Sequence, residues 1–297
     1  MFDRSLSLAA LAIAMARHVI VGCAGLPHGV GWPRYFLRLP YLETGALLHG
    51  PVRPSVLRRW KESAKHERAF GVVAPAIITH TPPRKGYGQK GWVIPPDRVA
   101  EAGSFRDSAL VEHGLSEMLN AMTALAASVA VFRTPPEFSP SQANRDAMRR
   151  FFGERATAER LEGRTRVWVP SGLWDPPVAH AFARELGILC GLDPLGADPE
   201  RRFAPFFDEL NGDDAYLVIS GMGRSRRRTS NDDLELVAEV ASRHDRAWVV
   251  FATVDPFPDA IRFAKLVGTS SADVDDAEDG DDVEDSDLQE EGDGGDG

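Results

Sequence analysis

The feature that most constrains this chain is a rhythm. Eight short runs rich in β-branched, aromatic and other apolar residues recur along it: 18–22, 41–48, 70–78, 128–132, 165–169, 188–192, 216–220 and 248–252. Several are apolar throughout rather than alternating, as strands are when both faces of a parallel sheet are covered. Stretches with a helical period lie between them. Val111, Leu115, Met118, Leu119, Met122 and Leu125 share one stripe, as do Leu234, Val237, Ala238 and Ala241, and then Phe257, Ile261 and Ala264. Start signals agree: Ser139-Pro140-Ser141-Gln142 reads as a capping box with proline at the first helical position, Asp175-Pro176 and Asp255-Pro256 as acidic caps before proline, and Asn231-Asp232-Asp233 as acids at a helix start. Eight strands, each largely followed by a helix, predict an α/β fold of the TIM-like (β/α)8 type. An open doubly wound sheet is the alternative. It usually has fewer strands, and the first turn here, Gly22 to Pro27, does not complete the glycine fingerprint common in that fold.

Charge divides the chain. Its 34 Lys+Arg against 44 Asp+Glu give a formal charge of −10, yet residues 271–297 hold 14 acids and no base, leaving 30 acids against 34 bases before them. The acidic balance is therefore a property of the tail. That tail has almost no apolar content and is expected to be disordered. The expected organisation is an extension over 1–17, one barrel over 18–269 and the acidic tail over 270–297. The apolar run Leu6 to Ala16 is too short to span a bilayer, and although it imitates a signal-peptide core it lacks a strong positive cluster before it, so the expected location is cytoplasmic, without a membrane. With only Cys23 and Cys190, a disulfide scaffold and a multi-cysteine metal site are excluded. Burial of both thiols is the expectation, rather than nucleophilic use with His28.

The motifs, taken in order, resemble the YecE-like proteins, also called domain of unknown function 72. Val21-Gly22-Cys23-Ala24-Gly25 with the later Trp32 is similar to the family's V-G-T-S-G-W start. Leu42 to His49, then Pro54 and Trp60, is similar to its V-E-x-N series. Phe70 to Pro75 followed by Ile78-Thr79-His80, Phe132 to Phe138, Tyr216 to Gly221 and Pro258-Asp259-Ala260 follow at matching spacing. The resemblance covers about 18–268 and implies a TIM-like barrel. It implies no established activity, because fold does not carry function. The departures fall on polar positions. Val73 stands where the family has Lys, Gly45 for Asn, Arg133 for Gln, and Val218 and Ser220 for Arg and His. Residues 168–174 replace E-x-R-H-P-x-W, keeping only the final Trp, and Ala252 and Thr253 stand for two Asn. Strand C-terminal ends are where barrel enzymes keep their catalytic groups. Their loss points to a catalytically degenerate barrel with a binding or regulatory role. The alternative is a hydrolase acting on a phosphate-bearing or nucleic-acid substrate.

Few ionisable groups remain near strand ends. Glu43, His80 and Asp193 are the catalytic candidates, and with His28 they could be a metal set if they converged; the competing reading has Glu43 bonded to backbone or Thr79 and His80 capping its turn. No resident metal or cofactor is assigned. The loop after the seventh strand, Gly221-Met222-Gly223-Arg224-Ser225-Arg226-Arg227-Arg228, combines glycines that admit close backbone approach with phosphate-binding arginines. Gly221, Gly223, Arg224 and Arg226, with Arg133, are the candidate ligand-binding residues for an anionic or phosphate-bearing partner, and Arg84, Lys85 and Lys90 could extend a basic rim; a merely solvated loop is the alternative. Two states of the mouth are compatible with these residues: an open pocket lined by Arg133 and Arg224, or one plugged by Trp32, Trp168 and Trp174.

Overall fold

The computed structural model describes residues 18–64, 69–82, 91–196, 198, 200–220 and 229–269. Eight parallel strands close into a barrel in sequence order: β1 (Val19–Ala24), β2 (Tyr41–Thr44), β3 (Phe70–Val73), β4 (Val129–Arg133), β5 (Thr165–Val169), β6 (Leu189–Leu192), β7 (Gly212–Ile219) and β8 (His244–Phe251), with β1 paired to β8. Helices return the chain on the outside. They are α1 (Trp32–Arg38), α2 (Ala46–His49), α3 (Pro54–Ser63), α4 (Ala76–Thr79), α5 (Ala109–Leu125), α6 (Gln142–Arg150), α7 (Pro176–Glu185), α8 (Ala204–Glu209), α9 (Asn231–Ser242) and α10 (Pro256–Leu266). A 3-10 turn at Pro96–Glu101 precedes α5, and a π turn at Phe151–Arg155 extends α6. The predicted barrel is thus the observed one, and the open sheet is not.

Two large apolar clusters hold it, with a smaller third around Ile77, Trp92 and Leu110. The first lies between strands and helices and includes Phe36, Phe70, Phe132, Trp168, Phe182 and Phe251. The second fills the barrel interior with Tyr41, Val73, Val131, Val167, Tyr216, Val218 and Trp248. Tyr41 dictates its surroundings. A Cβ at Gly71 would stand 1.9 Å from the Tyr41 hydroxyl, and one at Gly22 would stand 2.1 Å from the Tyr41 carbonyl oxygen. The neighbouring strands carry glycine where the phenol and its backbone need the space.

Several boundaries differ from expectation. The second and third runs stop as strands at Thr44 and Val73, and their remainders fall in single helical turns, Ala46–His49 and Ala76–Thr79. Gly45 and Pro75 stand at the two breaks, and both residue types interrupt strands. The last two strands start earlier than their apolar runs, because Gly212 to Asp214 and His244 to Arg246 continue the ladder below the core. There Asp214 and Arg246 pair directly, at 2.9 and 2.5 Å. The cap of α6 is Ser141, whose hydroxyl accepts from the Asn144 N–H, rather than Ser139. The 1–17 extension and the 270–297 tail lie outside the described residues. Among those described, no helix is long and apolar enough to cross a membrane.

Candidate functional site at the barrel mouth

Glu43, one residue before the end of β2, holds its side chain inside the barrel and is 1% exposed. Burial of a carboxylate demands partners, and they come from across the lumen. Arg133, at the end of β4, donates from Nε to Glu43 Oε1 at 2.7 Å, with its Nη2 2.5 Å from the same oxygen. Tyr216, on β7, donates its hydroxyl to Oε2 at 2.7 Å, and the Tyr41 hydroxyl lies 3.1 Å from that of Tyr216. Burial, and then the negative charge of Glu43, push both phenols well above their ordinary range, so both stay protonated. Burial opposes the Arg133 charge, but the Glu43 carboxylate beside it outweighs that and holds the guanidinium above its usual value. Each Glu43 oxygen thus has a fixed donor. The expected contact with Thr79 is absent, since the Thr79 hydroxyl pairs with His80 Nδ1 at 2.8 Å instead.

Arg133 is gripped along one edge only. Nε and Nη2 both address Glu43 Oε1, yet Nη2 is buried without a hydrogen bond of good geometry. The side chain is still 26% exposed, and it lines a cleft of about 990 Å³ at the C-terminal ends of β4 to β7. The floor of this cleft is Val169, Gly191 and Val218, and its apolar walls include Trp174, Phe203 and Phe207. Val218 is thus one of the apolar replacements noted in the sequence. Among the described lining residues, six aspartates (175, 193, 198, 208, 232 and 233) face three arginines, Arg133, Arg201 and Arg202.

Asp193, just past β6, lines the same cleft. Its Oδ1 accepts from the Leu195 N–H at 2.9 Å, and its Oδ2 accepts from the Ser220 N–H at 3.1 Å and the Ser220 hydroxyl at 2.5 Å. Burial pushes its carboxyl up despite these three donors, which pull it down. Across the barrel, Asp259 on α10 accepts from the hydroxyls of Thr229 at 2.8 Å and Thr253 at 2.7 Å, and from Arg262 Nη1 at 3.2 Å.

The sequence-derived candidates divide accordingly. Glu43 and Arg133 meet. Arg133 and Asp193 share the cleft, but His80 joins neither, and His28 is exposed on the first loop. Among the described residues no group of three or more His, Cys, Asp or Glu could hold a metal ion. Gly221, Gly223, Arg224 and Arg226 lie outside the described residues, as do Arg84, Lys85 and Lys90. Both cysteines are buried and free; burial pushes the Cys23 thiol up to about 12 and the Cys190 thiol further, which leaves neither a thiolate nucleophile. Trp168 packs outside the strands against Trp174 at 4.7 Å, and Trp32 stacks on Trp60 at 4.8 Å, so of the three tryptophans only Trp174 reaches the cleft. Tyr41 and Tyr216 were not foreseen as site residues. The signal available was a tyrosine inside an otherwise apolar run, whose hydroxyl needs a partner once buried.

No protein-family model matches the chain, and neither does any curated protein. Solved structures do. A DUF72 family protein from Enterococcus faecalis V583 matches with a TM-score of 0.58 and 14% identity over 85% of this chain and 98% of that one. Another DUF72 family protein, from Thermotoga maritima MSB8, matches at 0.53 and 14% over 84% and 99%. A xylose isomerase domain containing protein from Salmonella typhimurium LT2 matches at 0.50 and 12% over 86% and 94%. The resemblance read from the motifs is borne out at the level of fold.

Proposed function

We propose that this barrel is a binding protein whose mouth has lost acid–base chemistry and which holds a small molecule bearing an anionic group. One observation carries the reading: Arg133, whose Nε and Nη2 address Glu43, also lines the cleft. The side chain remains 26% exposed there, and its charge can pair with an oxygen of a carboxylate or phosphate. Glu43 contributes no proton transfer, because both of its oxygens accept from fixed donors in the core. It sets the guanidinium's orientation. Among the described lining residues six aspartates outnumber three arginines, which favours a small ligand over a polyanion such as nucleic acid, since like charges beside an extended anion oppose it.

The test is titration of the purified full-length chain with inorganic phosphate, followed by calorimetry. Phosphate is expected to bind, and the paired variant Glu43→Gln with Arg133→Met, which leaves no buried charge alone, to bind about tenfold or more weakly. Equal affinity in the two proteins, or no binding by the wild type, overturns the proposal. A hydrolase reading has one observation in its favour, the raised carboxyl of Asp193 inside the cleft. Turnover of p-nitrophenyl phosphate that Asp193→Asn abolishes would replace the binding reading with that one.

A further inference from the structure

We infer, on the basis of that reading, that the bound molecule is a phosphorylated polyol, its phosphate on Arg133 and a hydroxyl donating to Asp193. The cleft has two poles. Arg133 ends β4 and Asp193 follows β6, with β5 between them, which separates their backbones by about 10 Å. Among the described residues, the neighbouring strand ends contribute Val169, Gly191 and Val218 to the lining. An ionised carboxylate accepts at about four positions and donates at none. Asp193 spends two on Ser220 and one on the Leu195 N–H, so Oδ1 retains one site for a donor from the ligand. The walls offer Trp174, Phe203 and Phe207, against which the C–H faces of a carbon frame can pack while its hydroxyls turn to the polar side. An anion at one end, a donor at the other and a short carbon frame between them describe a polyol phosphate.

Three probes of similar size separate the alternatives: propyl phosphate, glycerol 3-phosphate and phosphoethanolamine, each titrated into the full chain beside inorganic phosphate. Glycerol 3-phosphate is expected to bind about tenfold more tightly than propyl phosphate. Asp193→Asn is expected to erase that difference. Equal affinity for the first two probes in the wild type overturns the inference without any variant having to fold. An advantage that survives Asp193→Asn also overturns it, and a preference for phosphoethanolamine overturns it in favour of an ammonium. Failure of phosphate itself to depend on Arg133 would instead sink the binding reading beneath it, so the two failures are told apart.

Discussion

At Gly71 a single added methyl would collide with the Tyr41 hydroxyl, which in turn lies beside Tyr216 and so beside Glu43. Gly71→Ala is therefore expected to cost about 1–3 kcal/mol through overpacking, measured by urea unfolding monitored by circular dichroism. The same network sets the cost of touching Glu43. Glu43→Gln leaves the Arg133 charge without its counter-charge and is expected to lose about 3–5 kcal/mol, and pairing Glu43→Leu with Arg133→Met to recover most of that loss, because the apolar pair removes both desolvation costs. Denaturant midpoints of the single and double variants decide this. Glu43 was legible as an acid at a strand end and Arg133 as a cation near the mouth. That they address each other across 90 residues, and that Tyr216 reaches Glu43 across 173, was not. Local pattern records burial and period, but the partner of a lumen-facing side chain depends on the barrel's stagger.

The apolar runs located all eight elements of the sheet, because strand burial on two faces leaves a continuous signal. Their ends were less legible. Leu47 and Ile78 belong to single helical turns packed into the core, and a buried turn of helix has the same apolar composition as a strand. Conversely, the polar starts of β7 and β8 were invisible to a search for hydrophobic residues, although Asp214 and Arg246 pair across them. The start of α9 was visible as acids, and the structure adds the cap itself: Ser230 accepts from the Asp233 N–H while the Asp233 carboxylate accepts from the Ser230 N–H. Ser230→Ala is expected to lose about 1 kcal/mol, read as a lower thermal midpoint. Ser230 follows directly on Thr229, which Asp259 anchors, so the same change is expected to leave Thr229 held to α10.

For the whole molecule, buried imidazoles contribute to the response to acid. His244, at the foot of β8, is 5% exposed, and neither ring nitrogen makes a hydrogen bond of good geometry. Burial depresses its pKa, with His180 and Arg243 adding to the effect and the Gly212 backbone opposing it. His180, on α7, is depressed by burial and by Arg184. A histidine depressed in the native state binds its proton more readily once unfolded. Its contribution to stability is therefore complete above the unfolded value of about 6.5 and is lost as pH falls below it. The thermal midpoint is expected to drop between pH 7 and pH 5, and to drop less in His244→Phe.

The hydroxyl that Tyr216 lends to Glu43 crosses from the second half of the barrel to the first. Strands β1 to β4 already contain Glu43, Arg133 and Tyr41, whereas the donor to Oε2 arrives only with β7. The two halves are therefore not interchangeable modules. Any chimaera grafting a foreign second half onto these four strands must supply, on its seventh strand, a neutral group that reaches the lumen axis and gives a hydrogen bond; without it, the graft seals an under-solvated anion into its own centre.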